Sequence, residues 1–161
     1  MTATIDNTIF KDAELSNGLG EYVFTGTTRA GVTKRTLVMF ELESIVPDDM
    51  EVDSAHLILV PAKVKPGSTD VKVYKVAAEW GEGTSEATDG DGKGAPATKN
   101  DATWIFAKYD SDRWVKEGGD FAFVASDTAT VSLAENTIFS STTIWISLVC
   151  RMTNDNDEDH N

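Results

Sequence analysis

Aromatic, acidic and basic side chains alternate in one short polar stretch of the sequence. Trp104, Tyr109, Arg113 and Trp114 lie there with two aspartates between them. Aromatic rings stack on the apolar C–H faces of sugars, and small-molecule sites combine such walls with a few placed polar groups. The stretch therefore predicts a carbohydrate-binding site formed by these four residues. The alternative for Trp104 is a core role, in which it and Trp80 anchor the two ends of a long loop.

Carboxylates also recur in a glycine-rich segment that resembles the beginning of a calcium loop. Asp89 and Asp91 alternate with glycines there, and alternate oxygen ligands can fold around one cation. The segment is not an EF-hand, because Lys93 stands where the third oxygen ligand belongs. Two interpretations remain, a flexible turn and a structural calcium site. The calcium site would use Asp89, Asp91, and Asp101 or Glu82.

Known catalytic motifs are not found in the sequence. It contains no nucleophile elbow, zinc-binding His-Glu-x-x-His motif, phosphate loop or Cys-x-x-Cys pair. The single Cys150 excludes an intramolecular disulfide. Glu79, Glu82 and Glu86 near Trp80 are the best acid–base candidates, and a solvated loop entrance is the simpler interpretation. The prediction is a protein that is not an enzyme.

The balance of charge limits the partners. The 161 residues carry 14 Lys and Arg against 27 Asp and Glu, a formal charge of −13. Nucleic acids and anionic lipid surfaces attract clustered Lys and Arg, so neither is expected as a partner. No apolar run approaches the ~18 residues of a membrane span, and the first residues do not have the pattern of a secretion signal.

Apolar residues recur mostly with a period of two, which is typical of strands. Together with many turn-forming segments they predict an all-β fold, an antiparallel two-sheet sandwich of jelly-roll type. Residues 1–153 form a single module with a long loop at 81–103, and residues 154–161 form an acidic tail. The Val38 face of the strand at 37–42 is expected to be the buried one, and the run 55–60 is expected to be a central strand. The predicted strands are 22–25, 37–42, 55–60, 71–74, 121–124, 130–133 and 143–149.

The order of several short motifs resembles one known family. The matching motifs include Asp6-Asn7-Thr8, Ser16-Asn17-Gly18-x-Gly20, Lys34-Arg35-Thr36-Leu37-Val38, Ile45-Val46-Pro47, Val73-Tyr74-x-Val76, Trp80-Gly81-Glu82-Gly83, Gly90-Asp91-Gly92, Asp101-Ala102-Thr103-Trp104 and Gly119-Asp120-Phe121. No single motif is specific, but their order and spacing are, and they cover most of the chain. By these motifs the chain is similar to the DNRLRE-type domains, disaggregatase-related modules also grouped as carbohydrate-binding module family 96.

The resemblance implies a secreted or cell-surface β-sandwich that binds polysaccharide without turning it over. It carries over no binding residues, so the four residues named above rest on the stacking argument alone. The family pattern usually continues into a closing strand, and we expect this chain to lack it. We expect the open sheet edge to favour an edge-strand homodimer or a displaced tail. The alternatives are a structural or adhesive spacer that contacts other proteins and, less favoured, a polysaccharide lyase or glycosidase.

Overall fold

The computed structural model describes residues 2–11, 13–42, 46, 49, 53–64, 69–88, 92–132, 137–141 and 147–152. Regular structure in these residues is entirely β-strand, which confirms the all-β prediction. None of them belongs to a helix of the length and apolar character that crossing a lipid bilayer requires. The strands are Ile5–Phe10 (β1), Leu15–Ser16 (β2), Gly26–Thr27 (β3), Thr33–Met39 (β4), Ala55–Leu59 (β5), Thr69–Lys75 (β6), Ala95–Pro96 (β7), Phe106–Lys108 (β8), Asp112–Arg113 (β9), Asp127–Val131 (β10), Thr137–Ser141 (β11) and Ser147–Met152 (β12).

A six-stranded antiparallel sheet is the frame of the fold. Its order is β1-β4-β12-β6-β10, and the short β3 also pairs with β4. The last strand, β12, is therefore central, since Val149 pairs with Leu37 of β4 on one side and Tyr74 of β6 on the other. Within the described residues, the outer strands of this sheet are β1 and β10. The edge-strand homodimer stays a prediction.

Neighbouring residues of β4 enter two different cores. Leu37 is fully buried in one cluster and Val38 is buried in the other, because successive side chains of a strand point to opposite faces. Val73 and Tyr74 of β6 divide in the same way. The expectation that the strand at 37–42 is buried chiefly on its Val38 face is therefore wrong for β4. A strand with neighbours on both sides and a layer on each face is buried throughout.

A two-stranded antiparallel sheet, β5 with β11, covers the Val38 face. Leu57, Leu59 and Phe139 point inward to this core. The cross-strand pair Ile58 and Ile138 points outward, with 56% and 53% of each side chain exposed. The run at 55–60 is therefore an outer strand, which corrects its predicted central position.

The opposite face of the large sheet is covered by the segment between Trp80 and Trp114. Trp80, Trp104 and Trp114 are all buried and pack with Ile9 and Leu37. The long loop within this segment contains β7, which pairs with β2. Both loop ends are thus held in the core by tryptophan, as the core interpretation of Trp80 and Trp104 predicted. The jelly-roll connectivity stays a prediction, and the acidic tail at 154–161 lies outside the described residues.

A buried cation joins this layer to the sheet. Arg35 of β4 is fully buried, and its Nη1 donates a 2.6 Å hydrogen bond to the carbonyl of Gly118. The guanidinium lies 4.4 Å from the ring centroid of Trp104 and 5.4 Å from that of Phe121. Planar guanidinium groups stack well on aromatic faces, so this contact stabilises the tryptophan layer.

Candidate functional site

A hairpin formed by β8 and β9 carries the only predicted binding residues that the structure places at the surface. The register sets Phe106 opposite Arg113, and the turn between the strands contains Tyr109. Asp110 follows with a φ of +67°, a left-handed conformation that short polar residues such as Asp tolerate better than most. The amide of Ser111 closes the turn by donating to the carbonyl of Lys108 at 3.1 Å.

The side chains on this hairpin are packed against each other. The rings of Phe106 and Tyr109 meet edge to face, with centroids 5.4 Å apart and planes at 78°. The Arg113 guanidinium lies 4.9 Å from the centroid of Phe106. Both rings are partly exposed and Arg113 is exposed. Phe106, Tyr109 and Arg113 together form a continuous aromatic and cationic surface, here called the hairpin surface.

An acid from a distant part of the chain completes the hairpin surface. The phenol of Tyr109 donates a 3.1 Å hydrogen bond to Oε2 of Glu14. This hydrogen bond, and then the negative charge of Glu14, raise the pKa of the Tyr109 phenol. The backbone of Glu14 is itself fixed, since its carbonyl accepts from the amide of Ala97 at 3.0 Å. The result is a ring held in one orientation beside an exposed carboxylate.

The support beneath the hairpin surface is rigid. Ala107, between the two outward residues of β8, is buried, and its carbonyl accepts from Gly81 at 3.0 Å. The amide of Tyr109 donates to the carbonyl of Asp101 at 2.8 Å. Preorganised side chains lose less conformational freedom when a ligand binds. The backbone thus positions the hairpin surface before any ligand arrives.

Two of the four predicted carbohydrate-binding residues do not belong to this surface. Trp104 and Trp114 are 3% and 5% exposed, and Trp114 Nε1 donates to the carbonyl of Thr103 at 2.8 Å. Stacking on a sugar needs an open ring face, so the expected role of these two indoles is corrected to a role in the core. Of the predicted set, the structure brings together Tyr109 and Arg113.

The predicted metal ligands are only partly described. Asp89 and Asp91 lie outside the described residues. Asp101 is fully buried, and its carboxylate accepts hydrogen bonds from Ser85 and Thr98 of its own loop. Glu82 Oε1 accepts from the amide of Asp6 at 3.1 Å. Within the described ranges, no three His, Cys, Asp or Glu side chains are grouped as a metal site requires.

A buried amide network explains why Glu82 and Asp101 lie near the start of the chain. Asn7 Oδ1 accepts from the Ser16 hydroxyl at 2.8 Å and from the Asn17 amide at 3.0 Å. Asn7 Nδ2 donates to the carbonyl of Glu82 at 3.0 Å, and the Ser16 hydroxyl also donates to the carbonyl of Ala102. Motifs that lie far apart in the sequence meet in this network. It holds the long loop against β1.

Sequence reasoning missed Phe106 and Glu14. Phe106 belongs to the same aromatic stretch and is three residues before Tyr109, so its spacing was a usable signal. Glu14 had no such signal, because it is 95 positions away from Tyr109. Comparison of the chain with protein-family models, with curated proteins and with solved structures finds no match.

The hairpin surface has the chemistry of a shallow recognition site. Its rings offer apolar area, the guanidinium donates hydrogen bonds in a fixed fork, and the carboxylate accepts them. Of these groups, only the Tyr109 phenol has both an ionisable proton and a carboxylate partner. A tyrosine phenol is protonated at neutral pH, and the hydrogen bond to Glu14 raises its pKa further, so the phenol acts as a hydrogen-bond donor.

Proposed function

We propose that the chain is a non-catalytic carbohydrate-binding module that holds polysaccharide at the hairpin surface. One observation carries the proposal, the edge-to-face pair of Phe106 and Tyr109 flanked by Arg113 and Glu14. A sugar ring stacks on the partly exposed aromatic pair, while its hydroxyls donate to the carboxylate and accept from the guanidinium. The setting is that of an extracellular or cell-surface protein, as the family resemblance implies.

Binding to a panel of polysaccharides tests the proposal. Affinity electrophoresis through neutral and acidic polysaccharides is run with the full chain, with and without a chelator. The chelator arm also tests the predicted calcium. Retardation by at least one polysaccharide is expected, and retardation by none contradicts the proposal.

Paired variants locate the site. Phe106→Ala removes the ring under the guanidinium, and we expect it to weaken binding about tenfold, the equivalent of ~1.4 kcal/mol. The matched control is Phe123→Ala, because Phe123 is an aromatic residue 80% exposed elsewhere on the surface. An equal loss of binding in both variants would mean that exposed aromatic rings adsorb polysaccharide non-specifically, and the hairpin surface would be rejected as the binding site.

A second candidate function is a structural or adhesive module that contacts other proteins. The observation that favours it is the outward face of the β5–β11 sheet, where Ile58, Ile138 and Val60 are 56%, 53% and 74% exposed. Contiguous exposed apolar side chains are typical of protein contacts. Light scattering of the chain and of an Ile58→Thr/Ile138→Thr variant tests it. Self-association that the double variant abolishes would support this function, and a monomer at all concentrations would count against a homodimer through this face.

A further inference from the structure

A cleft separate from the hairpin surface opens between four strands of the large sheet. Its cavity is about 220 Å³ and is lined by β3 with its flanking residues, the beginnings of β4 and β6, and the end of β10. Pockets for drug-sized molecules measure roughly 300–1,000 Å³. The cavity is therefore of a size for a smaller molecule.

One wall of the cleft is apolar. Phe24, Val71 and Val131 line it, and Val71 is buried while the other two are partly exposed. These side chains come from three separate elements and would lose contact with water if a small apolar group filled the space between them. Removal of apolar surface from water favours such a complex.

The polar part of the cleft is cationic and hydroxylic. Lys34, Lys63 and Thr28 line it, and among the described residues no Asp or Glu does. The chain as a whole carries a charge of −13. The cleft is therefore locally positive in an otherwise strongly acidic protein. Its low-dielectric walls strengthen the positive electrostatic potential.

The two lysines are held differently. Lys34 is only 9% exposed, its Nζ donates to the carbonyl of Gly92, and the ammonium lies 5.2 Å and 5.0 Å from the ring centroids of Phe10 and Phe24. Lys63 is exposed, and among the described residues no side chain forms an ion pair with it. Lys34 thus provides a fixed charge at the wall, and Lys63 has all its donors available at the mouth.

We propose that this cleft binds a small organic carboxylate. The apolar part of the ligand lies against Phe24, Val71 and Val131, and the carboxylate accepts hydrogen bonds from the Lys63 ammonium and the Thr28 hydroxyl. Charge-assisted hydrogen bonds of this kind are about twice as strong as neutral ones. The Thr28 hydroxyl oxygen already accepts from the amide of Val32 at 3.1 Å, which leaves its proton free to donate. This site does not depend on the proposed polysaccharide function.

Titration of the ¹⁵N-labelled full chain with cyclohexanecarboxylate tests the cleft. Saturable shifts of amide resonances are expected in residues 24–28 and in β6 and β10. Cyclohexanol, which has the same ring without the charge, should bind at least tenfold more weakly. Equal binding of the two probes, or no saturable shift in these segments, would overturn the proposal.

Charge variants complete the test. Lys63→Gln should lower the affinity for cyclohexanecarboxylate about tenfold, and Lys63→Arg should retain most of it. Lys63 is exposed, so neither change threatens folding. Lys99→Gln is the matched control, since Lys99 is an exposed lysine outside the cleft. If Lys99→Gln weakens binding as much as Lys63→Gln, the attraction is non-specific and the site is rejected. Phe106→Ala should leave this binding unchanged, which separates the failure of this site from the failure of the hairpin surface.

Discussion

The Tyr109 hydroxyl and the Glu14 carboxylate are joined by a 3.1 Å hydrogen bond across 95 positions of sequence. The bond connects the β8–β9 turn to the residue that precedes β2. Both partners are at the surface, so the net stabilisation from this one bond is small. The hydrogen bond matters mainly for geometry, because it fixes the plane of the Tyr109 ring beside Phe106.

The Glu14→Gln change should lower the pKa of Tyr109. Glu14 raises that pKa through its hydrogen bond and its charge, and a neutral amide removes the charge that opposes phenolate formation. Titration of the Tyr109 ring resonances by NMR measures the effect. Glu21→Gln serves as the control, since Glu21 is an exposed acid and the Tyr109 phenol donates to Glu14 instead. A Tyr109 pKa that is the same in Glu14→Gln and in the unaltered chain would mean that the bond does not persist in solution.

Replacement of Gly118 by alanine should destabilise the fold strongly. Gly118 has a φ of +86°, and an added Cβ would lie 2.2 Å from Arg35 Nη1 and 2.8 Å from the Trp104 ring. Gly31→Ala is a matched control, because Gly31 has a φ of +85° and open space around its Cβ position. We expect losses of about 1 kcal/mol for Gly31→Ala from backbone strain alone and about 3 kcal/mol for Gly118→Ala. Urea unfolding measures both, and equal losses would mean that the packing around Arg35 is loose.

The Asp6→Asn change should stabilise the protein at neutral pH. Burial, and then the charge of Glu82, raise the pKa of Asp6 above its usual 3.8. Ionisation of Asp6 is therefore less favourable in the folded state than in the unfolded chain. The free energy of unfolding consequently falls as the pH rises from the unfolded-state pKa of Asp6 through its higher folded-state pKa. The gain from Asp6→Asn should be present at pH 7 and disappear below the usual pKa, where both states are protonated.

Thermal unfolding at a series of pH values measures the Asp6 effect. Asp53→Asn is the control, since Asp53 is exposed. A melting temperature of Asp6→Asn below that of the unaltered chain at pH 7 would contradict the prediction. A gain of the same size at every pH would also contradict it, because it would not arise from ionisation.

Asn7→Ala should be among the most destabilising single changes in β1. It removes the acceptor of Ser16 and Asn17 and the donor to Glu82, and it leaves buried polar groups without these bonds. Each buried group left unsatisfied costs roughly 1–3 kcal/mol, so a total near 3 kcal/mol is expected. Denaturant unfolding measures the loss, with Thr2→Ala at an exposed position as the control. A loss below about 1 kcal/mol would mean that water replaces the amide.

The alternation of apolar residues predicted the strands at 37–42, 55–60 and 71–74 but not their neighbours. The strands predicted at 22–25 and 121–124 are wrong, since residues 22–25 are not in a strand and Phe121 makes only an isolated bridge to Val76. Leu37 and Val38 were correctly placed on opposite faces, yet the burial of both faces was missed because it depends on layers contributed by distant segments. The apolar run at 55–60 was misplaced for the same reason. Partly buried Leu57 alternates with exposed Ile58 because the β5–β11 sheet packs one face on the large sheet and turns the other face outward.

The candidate site was half predictable. Tyr109 and Arg113 followed from residue type and spacing, since both belong to one polar stretch. Trp104 and Trp114 belong to the same stretch and are of the same residue class, but they are buried, because their side of the stretch faces Leu37 and Arg35. The neighbouring sequence does not distinguish an indole that faces the sheet from a phenol that faces water. Glu14 was beyond reach because its contact is made through tertiary structure.

The central position of β12 has a consequence for how the protein forms. β4 and β6 leave the ribosome long before the strand that bridges them, and no described pairing joins them directly. Until residues 147–152 are synthesised, β4 and β6 each have an unpaired border of the kind that can pair with another chain. Closure of the sheet is thus a late, long-range event.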